Sequence, residues 1–242
     1  MKLVEWYIPL ALLAILLWVL LQRRAYRIAP CFFSYAAFGL AAGVARFAIR
    51  HHPHAYYSTY WITEAGYDLL GMLVMYEVLR TLLSSLTHAW WSRLVFPIIL
   101  LGGIGLSLGR AQVAPVHFSG RMAFCIITGE IAVRFVQVFV FAGLVALVPV
   151  IGLRWRQYSF GVATGFGLYA TVMLLATTNY SDFGTRFKNL WDMTSLVAYS
   201  LAVLIWIWFF SVPQKVESAK PELSAPSPGD LKHYKDALRR MR

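Results

Sequence analysis

Long apolar runs recur along this chain from one end to the other, and no other feature limits its fold so tightly. Seven can be marked, at about residues 4–21, 31–49, 60–83, 94–109, 122–148, 158–178 and 189–211. A run of about 18 or more apolar residues is long enough to cross a ~30 Å hydrocarbon core as a helix. These runs are too long for barrel strands and lack strict alternation, so helices are implied. Composition agrees: only 14% of the 242 residues are charged, against roughly 25% in soluble domains. The expected fold is all-α, a polytopic membrane bundle of about seven transmembrane helices over residues 1–212. The first run ends in Gln22-Arg23-Arg24 with no small-residue cleavage site before it, which predicts a retained anchor rather than a cleaved signal.

The net charge of +11 does not point to nucleic acid. The basic residues lie mainly between the apolar runs and in the tail, where anionic lipid headgroups attract them. With the N-terminus outside, fourteen Lys and Arg fall on the inner side and seven on the outer, with Arg134 inside a helix. The tail supplies seven of the fourteen, but Arg23-Arg24-x-x-Arg27 directly after the first run supports the same N-out, C-in orientation. A multi-pass protein of the cell's inner (plasma) membrane is the expectation.

Residues 213–242 change character. Pro213, Pro221, Pro226 and Pro228 keep the first part extended, and Ser227-Pro228-Gly229-Asp230 reads as a helix start. Leu231, Tyr234, Leu238 and Met241 then recur at helical spacing, flanked by Lys232, Lys235, Arg239, Arg240 and Arg242. This cytoplasmic tail either lies on the inner leaflet as a short basic amphipathic helix, bound to anionic headgroups, or stays solvated.

Close helix approach is expected at Gly39-x-x-x-Gly43, Gly105-x-x-x-Gly109 and Gly161-x-x-x-Gly165. Short connections predict that sequential helices are antiparallel neighbours. Trp206, Trp208, Phe209 and Phe210 fit an inner aromatic belt, and His88 and Trp90-Trp91 read as interfacial anchors. Cys31 and Cys125 fall near opposite membrane faces and should not pair. His51, His52 and His54 offer imidazoles to zinc or copper, but adjacent residues rarely aim at one ion and no carboxylate or cysteine is near. A solvated outer loop is expected there, with no metal.

The informative residues are the ionisable ones inside apolar runs. Each costs about 2.5–3.5 kcal/mol at mid-membrane on insertion scales, so each should face the bundle interior. Glu64 and Asp68 are one turn apart on one face of the third helix, in its outer third, an arrangement that favours a shared proton or a bound cation. Glu77 lies nearer the cytoplasm, within reach of Arg80. Glu130 and Arg134 are four apart on the fifth helix and either neutralise each other or let Arg134 reach an acid on the third. Arg46, near the outer end of the second helix, can neutralise Glu64 or Asp68, and Asp192 lies near the outer start of the seventh. Tyr67 and Gln137 can add hydrogen bonds. Arg46, Glu64, Asp68, Glu77, Glu130, Arg134 and Asp192 are therefore the candidate polar core. They either line a cavity open to the outside or act as ion pairs holding helices together.

No hydrolase, zinc-protease, nucleotide-binding or dinucleotide-binding motif is present. The last helix has no lysine for a retinal Schiff base, since Lys188 stops at its edge. No enzyme activity and no cofactor are expected. The segments Tyr60-Trp61-x-x-Glu64 and Tyr76-Glu77-x-x-Arg80, with a first helix ending in Arg23-Arg24 and six more behind it, resemble bacterial seven-helix integral membrane proteins that are uncharacterised. The layout is also similar to the seven-helix membrane sensor module of some histidine kinases. That resemblance implies a receptor-like or accessory protein that binds a small ligand or ion and signals through a membrane protein partner or its tail. No kinase domain follows here. The alternative is a proton- or cation-coupled transporter or channel that uses the intramembrane carboxylates.

Overall fold

The structure, a computed structural model, describes residues 2–82, 92–113, 121–151, 158–183 and 188–212. Among these there are seven α-helices and no strand: α1 Lys2–Gln22, α2 Pro30–Ala48, α3 Pro53–Leu82, α4 Ser92–Val113, α5 Arg121–Ile151, α6 Tyr158–Phe183 and α7 Lys188–Ser211. They belong to one unit, Met1–Val212. The tail from Pro213, with its expected amphipathic helix, lies outside the described residues, as do His88, Trp90 and Trp91. Four helices contain stretches long and apolar enough to cross a membrane: Pro30–Ala48, Thr128–Ala146, Tyr158–Ala176 and Met193–Ser211. In α1 and α4 the apolar stretches are shorter, Tyr7–Gln22 and Leu94–Gly109. α3 has the length, 30 residues, but carries Glu64, Asp68, Glu77 and Arg80.

α3 begins earlier than its apolar run. Proline at a first helical position lacks only an N–H that would be unpaired there, and its φ is already helical. Pro53 therefore starts the helix, and His54, Tyr56 and Tyr57 ride on its first turns rather than in a loop. Asp68 falls midway along α3. Pro30 opens α2 in the same way, after a tight reversal in which Arg24 takes a left-handed φ of 52° and Ala25–Arg27 form a 3-10 turn.

The helices alternate in direction. Arg23 at the end of α1 donates to the Ser211 carbonyl at the end of α7, 2.6 Å away. Glu77, near the end of α3, accepts from backbone N–H groups at the start of α2. Tyr158 at the start of α6 stacks on Phe210 near the end of α7. On α4, Gly103 faces Val136 of α5, while the buried Ser107 hydroxyl donates 2.6 Å to the Thr128 carbonyl. Helices α1, α2, α3, α5, α6 and α7 close a ring in that order, α3 also touches α6 across it, and α4 packs outside against α5. Sequential packing thus fails at one step. α3 leans on α5 and meets α4 through the Tyr76–Phe96 ring contact. The physical reason is polarity: α3 and α5 carry charged residues that face each other across the cavity, leaving apolar α4 to the periphery.

One end of the ring is filled by apolar side chains. Phe32, Phe166, Trp206 and Phe210 are fully buried there, with Phe32 stacked on Phe210 and edge-on to Trp206. Here the expected inner belt is corrected. Residues 206 and 210 share one helix face and are core. Only Trp208, 63% exposed, points outward, and Phe209 packs over Gly161. The Gly161/Gly165 and Gly39/Gly43 pairs do seat neighbouring helices, receiving Phe209, Trp206, Tyr67 and Leu10. Gly105 and Gly109 face open space, and Gly103 makes the close approach on α4 instead. Ile62, Leu69, Ile98, Leu101 and Leu175 are exposed around the outside, an apolar surface that lipid accepts and water penalises.

Candidate functional site

Beyond the aromatic plug the interior turns polar. On α5, Glu130, Val133, Arg134 and Gln137 fall at helical spacing on one inward stripe. On α3, Glu64, Tyr67 and Asp68 do the same. With Tyr35 of α2, Tyr169 of α6 and Tyr199 of α7 they surround a cavity of about 190 Å³. Tyr35 forms its floor, in ring contact with Phe166 at 5.0 Å and Trp206 at 6.2 Å below and Tyr67 at 5.6 Å beside it. Tyr169 and Tyr199 meet edge to face at 5.8 Å.

Two charge pairs flank this space. Arg46, near the end of α2, pairs with Glu64 at 2.9 Å and donates through Nε to the Thr63 hydroxyl at 2.7 Å. Its second terminal nitrogen reaches the same hydroxyl and the Tyr60 carbonyl, and its guanidinium lies 4.7 Å from the centre of the Tyr60 ring. Of the two acids open to Arg46, Glu64 is the one it takes. Arg134 pairs with Glu130 on its own helix and lies over the Tyr169 ring at 5.5 Å. It is only 8% exposed, and its Nη1 has no hydrogen-bond partner among the described residues. A buried donor left unmade costs about 1–3 kcal/mol.

Asp68 is different again. It is half-buried, its carboxylate lies against α5 at Gly129, and it makes no ion pair or hydrogen bond among the described residues. Among the described residues the polar interior therefore holds three carboxylates, Glu64, Asp68 and Glu130, against two guanidiniums, Arg46 and Arg134. Asp68 is the carboxylate left without a guanidinium, and the Arg134 Nη1 donors are left without an acceptor among the described residues.

The other candidates lie elsewhere. Glu77 is not at the cavity and does not turn to Arg80. Its two oxygens accept from the Cys31 and Phe32 N–H groups at 3.2 and 3.1 Å, a carboxylate placed on the N-terminus of α2, where free donors and the helix dipole favour it. Asp192 is in α7, but its side chain lies outside the described residues, as does that of Cys125. Cys31 is a free thiol. Among the residues described, no group of three or more His, Cys, Asp or Glu is placed to hold a metal ion. Reasoning from sequence missed Tyr35, Tyr169 and Tyr199. Their signal was a hydroxyl in the middle of an apolar run, which needs a partner or a wet space when buried.

No protein-family model matches the chain, and no curated protein or solved structure matches it either. Fold and site thus define only a class, an all-helical chain whose apolar helices fit a membrane protein with a polar pocket inside.

Proposed function

We propose that this chain is a multi-pass protein of a bacterial inner membrane, crossing it seven times with the N-terminus outside and the tail in the cytoplasm. It works as a receptor-like or accessory protein, taking a small ligand or ion from the outer side into the cavity between α3, α5, α6 and α7. The change is passed to a membrane protein partner or to the lipid-bound basic tail. The observation that carries this reading is the presence in one cavity of Asp68 and the Arg134 Nη1, neither of which has a hydrogen-bond partner among the described residues. Intramembrane ionisable groups are costly, and those left without partners are candidates for ligand contacts. The plug of Phe32, Phe166, Trp206 and Phe210 fills the ring beneath Tyr35, which suits binding better than conduction.

The test is a melting screen of the protein and its Asp68→Asn variant in lipid nanodiscs against small cations, anions and zwitterions. A solute that binds only the folded state raises its stability by mass action. One that stabilises the parent protein and not the variant supports the reading, and the absence of any such solute overturns it. The second reading, a proton or cation path, draws on the three carboxylates around the cavity. Proton or cation flux in proteoliposomes that a Glu64→Gln/Asp68→Asn double variant abolishes would establish it.

A further inference from the structure

The cavity specifies more than a polar occupant, and the argument below rests on its being a ligand site. Among the described residues Asp68 is the lining carboxylate that holds no arginine, because Glu64 and Glu130 already do. A cation is the occupant that would supply Asp68 with the partner it lacks. Four of the ten lining residues are tyrosines: Tyr35, Tyr67, Tyr169 and Tyr199. Aromatic faces attract desolvated ammonium groups, and alkylammonium ions in particular. A hard metal ion instead needs about six oxygen ligands at short range, and no acidic cluster among the described residues meets that need. Size points the same way. At about 190 Å³ the cavity is smaller than the ~300 Å³ of the smallest drug-sized pockets, yet several times the ~30 Å³ share of one water. It suits an ion with a few carbon atoms. Lastly, the buried Arg134 Nη1 lacks an acceptor, which the occupant can supply.

We propose that the cavity binds a small organic ammonium ion bearing an oxygen, of the amino-alcohol type. Asp68 is its counter-ion, tyrosine side chains surround its alkyl groups, and the Arg134 Nη1–H donates to its oxygen.

The experiment is isothermal titration of the full chain in nanodiscs with choline and ethanolamine. The comparison solutes are 3,3-dimethylbutan-1-ol (the uncharged carbon isostere of choline), sodium chloride, glycine and sodium acetate. At least one of the two amino alcohols binds. For choline the neutral isostere binds at least tenfold more weakly, a comparison that needs no variant. Asp68→Asn, checked for an unchanged melting temperature without ligand, loses at least tenfold in affinity. Equal binding of choline and its isostere overturns the proposal, as does no binding of either amino alcohol to folded protein. Asp68-dependent binding of sodium, glycine or acetate alone overturns it while leaving the cavity a ligand site. No binding of any solute removes both readings.

Discussion

Glu77 illustrates how a single charged residue can be misplaced by spacing alone. In sequence it sits three residues from Arg80, an ion-pair distance along a helix. In the fold, α2 starts beside it and presents two unpaired N–H groups, which a carboxylate satisfies at once. A neutral side chain that keeps one acceptor should preserve part of this cap. Loss of a helix cap costs about 0.5–2 kcal/mol. Glu77→Ala is expected to lower stability by that order, and Glu77→Gln by less, in reversible unfolding or by melting temperature in detergent. Equal losses for the two variants would show that volume, not hydrogen bonding, is what Glu77 supplies. Arg23 holds the opposite kind of post. Its guanidinium meets the Ser211 carbonyl at the end of α7, where the helix dipole favours positive charge.

Between helices the recurring device is a glycine that lets an aromatic ring lie against the backbone. At Gly165 the Trp206 indole takes the place of a Cβ and donates 3.2 Å to the Val162 carbonyl one turn earlier. At Gly39 the Tyr67 hydroxyl donates 3.2 Å to that glycine's own carbonyl. In lipid, where apolar burial gives helices no net attraction for each other, such close packing and polar contact hold them together. Overfilling a packed core costs about 1–3 kcal/mol. Gly165→Ala is expected to destabilise by that order, because Trp206 is fully buried and cannot move aside. Gly105→Ala and Gly109→Ala, which meet open space, should be neutral within about 0.5 kcal/mol. Melting temperatures of the three variants in one detergent decide the matter, and a loss at Gly109 matching that at Gly165 would mean that α4 is covered by something outside this chain.

At the scale of the molecule, the ring buries charge at its centre and turns Ile62, Leu69, Leu101 and Leu175 outward, the reverse of a water-soluble bundle. Alternating helix directions place Arg23, Arg24 and Arg27 at one end and the α2–α3 turn with Arg50 at the other. If the bundle crosses the membrane N-out, a periplasmic reporter such as alkaline phosphatase should be active when fused after His52 and silent after Arg27. The opposite pattern would invert the orientation and with it the side from which the cavity is reached.

Much of this was legible in the residues. Runs of apolar side chains determine helices in a bilayer because no other local structure satisfies the backbone there, so the all-helical fold and the seven helices followed from sequence. The Glu130–Arg134 pair was equally local, set by a four-residue spacing on one helix. Tertiary structure alone decided the rest. Which helix faces which is a contest among apolar surfaces that look alike in sequence, and polarity settled it by turning α3 to α5 rather than to α4. The same arrangement brought Tyr35, Tyr169 and Tyr199 from three separate helices to Asp68, a juxtaposition no spacing along one chain can encode. It also sent Glu77 away from them, because the free N–H groups it satisfies belong to a helix 45 residues distant in the sequence.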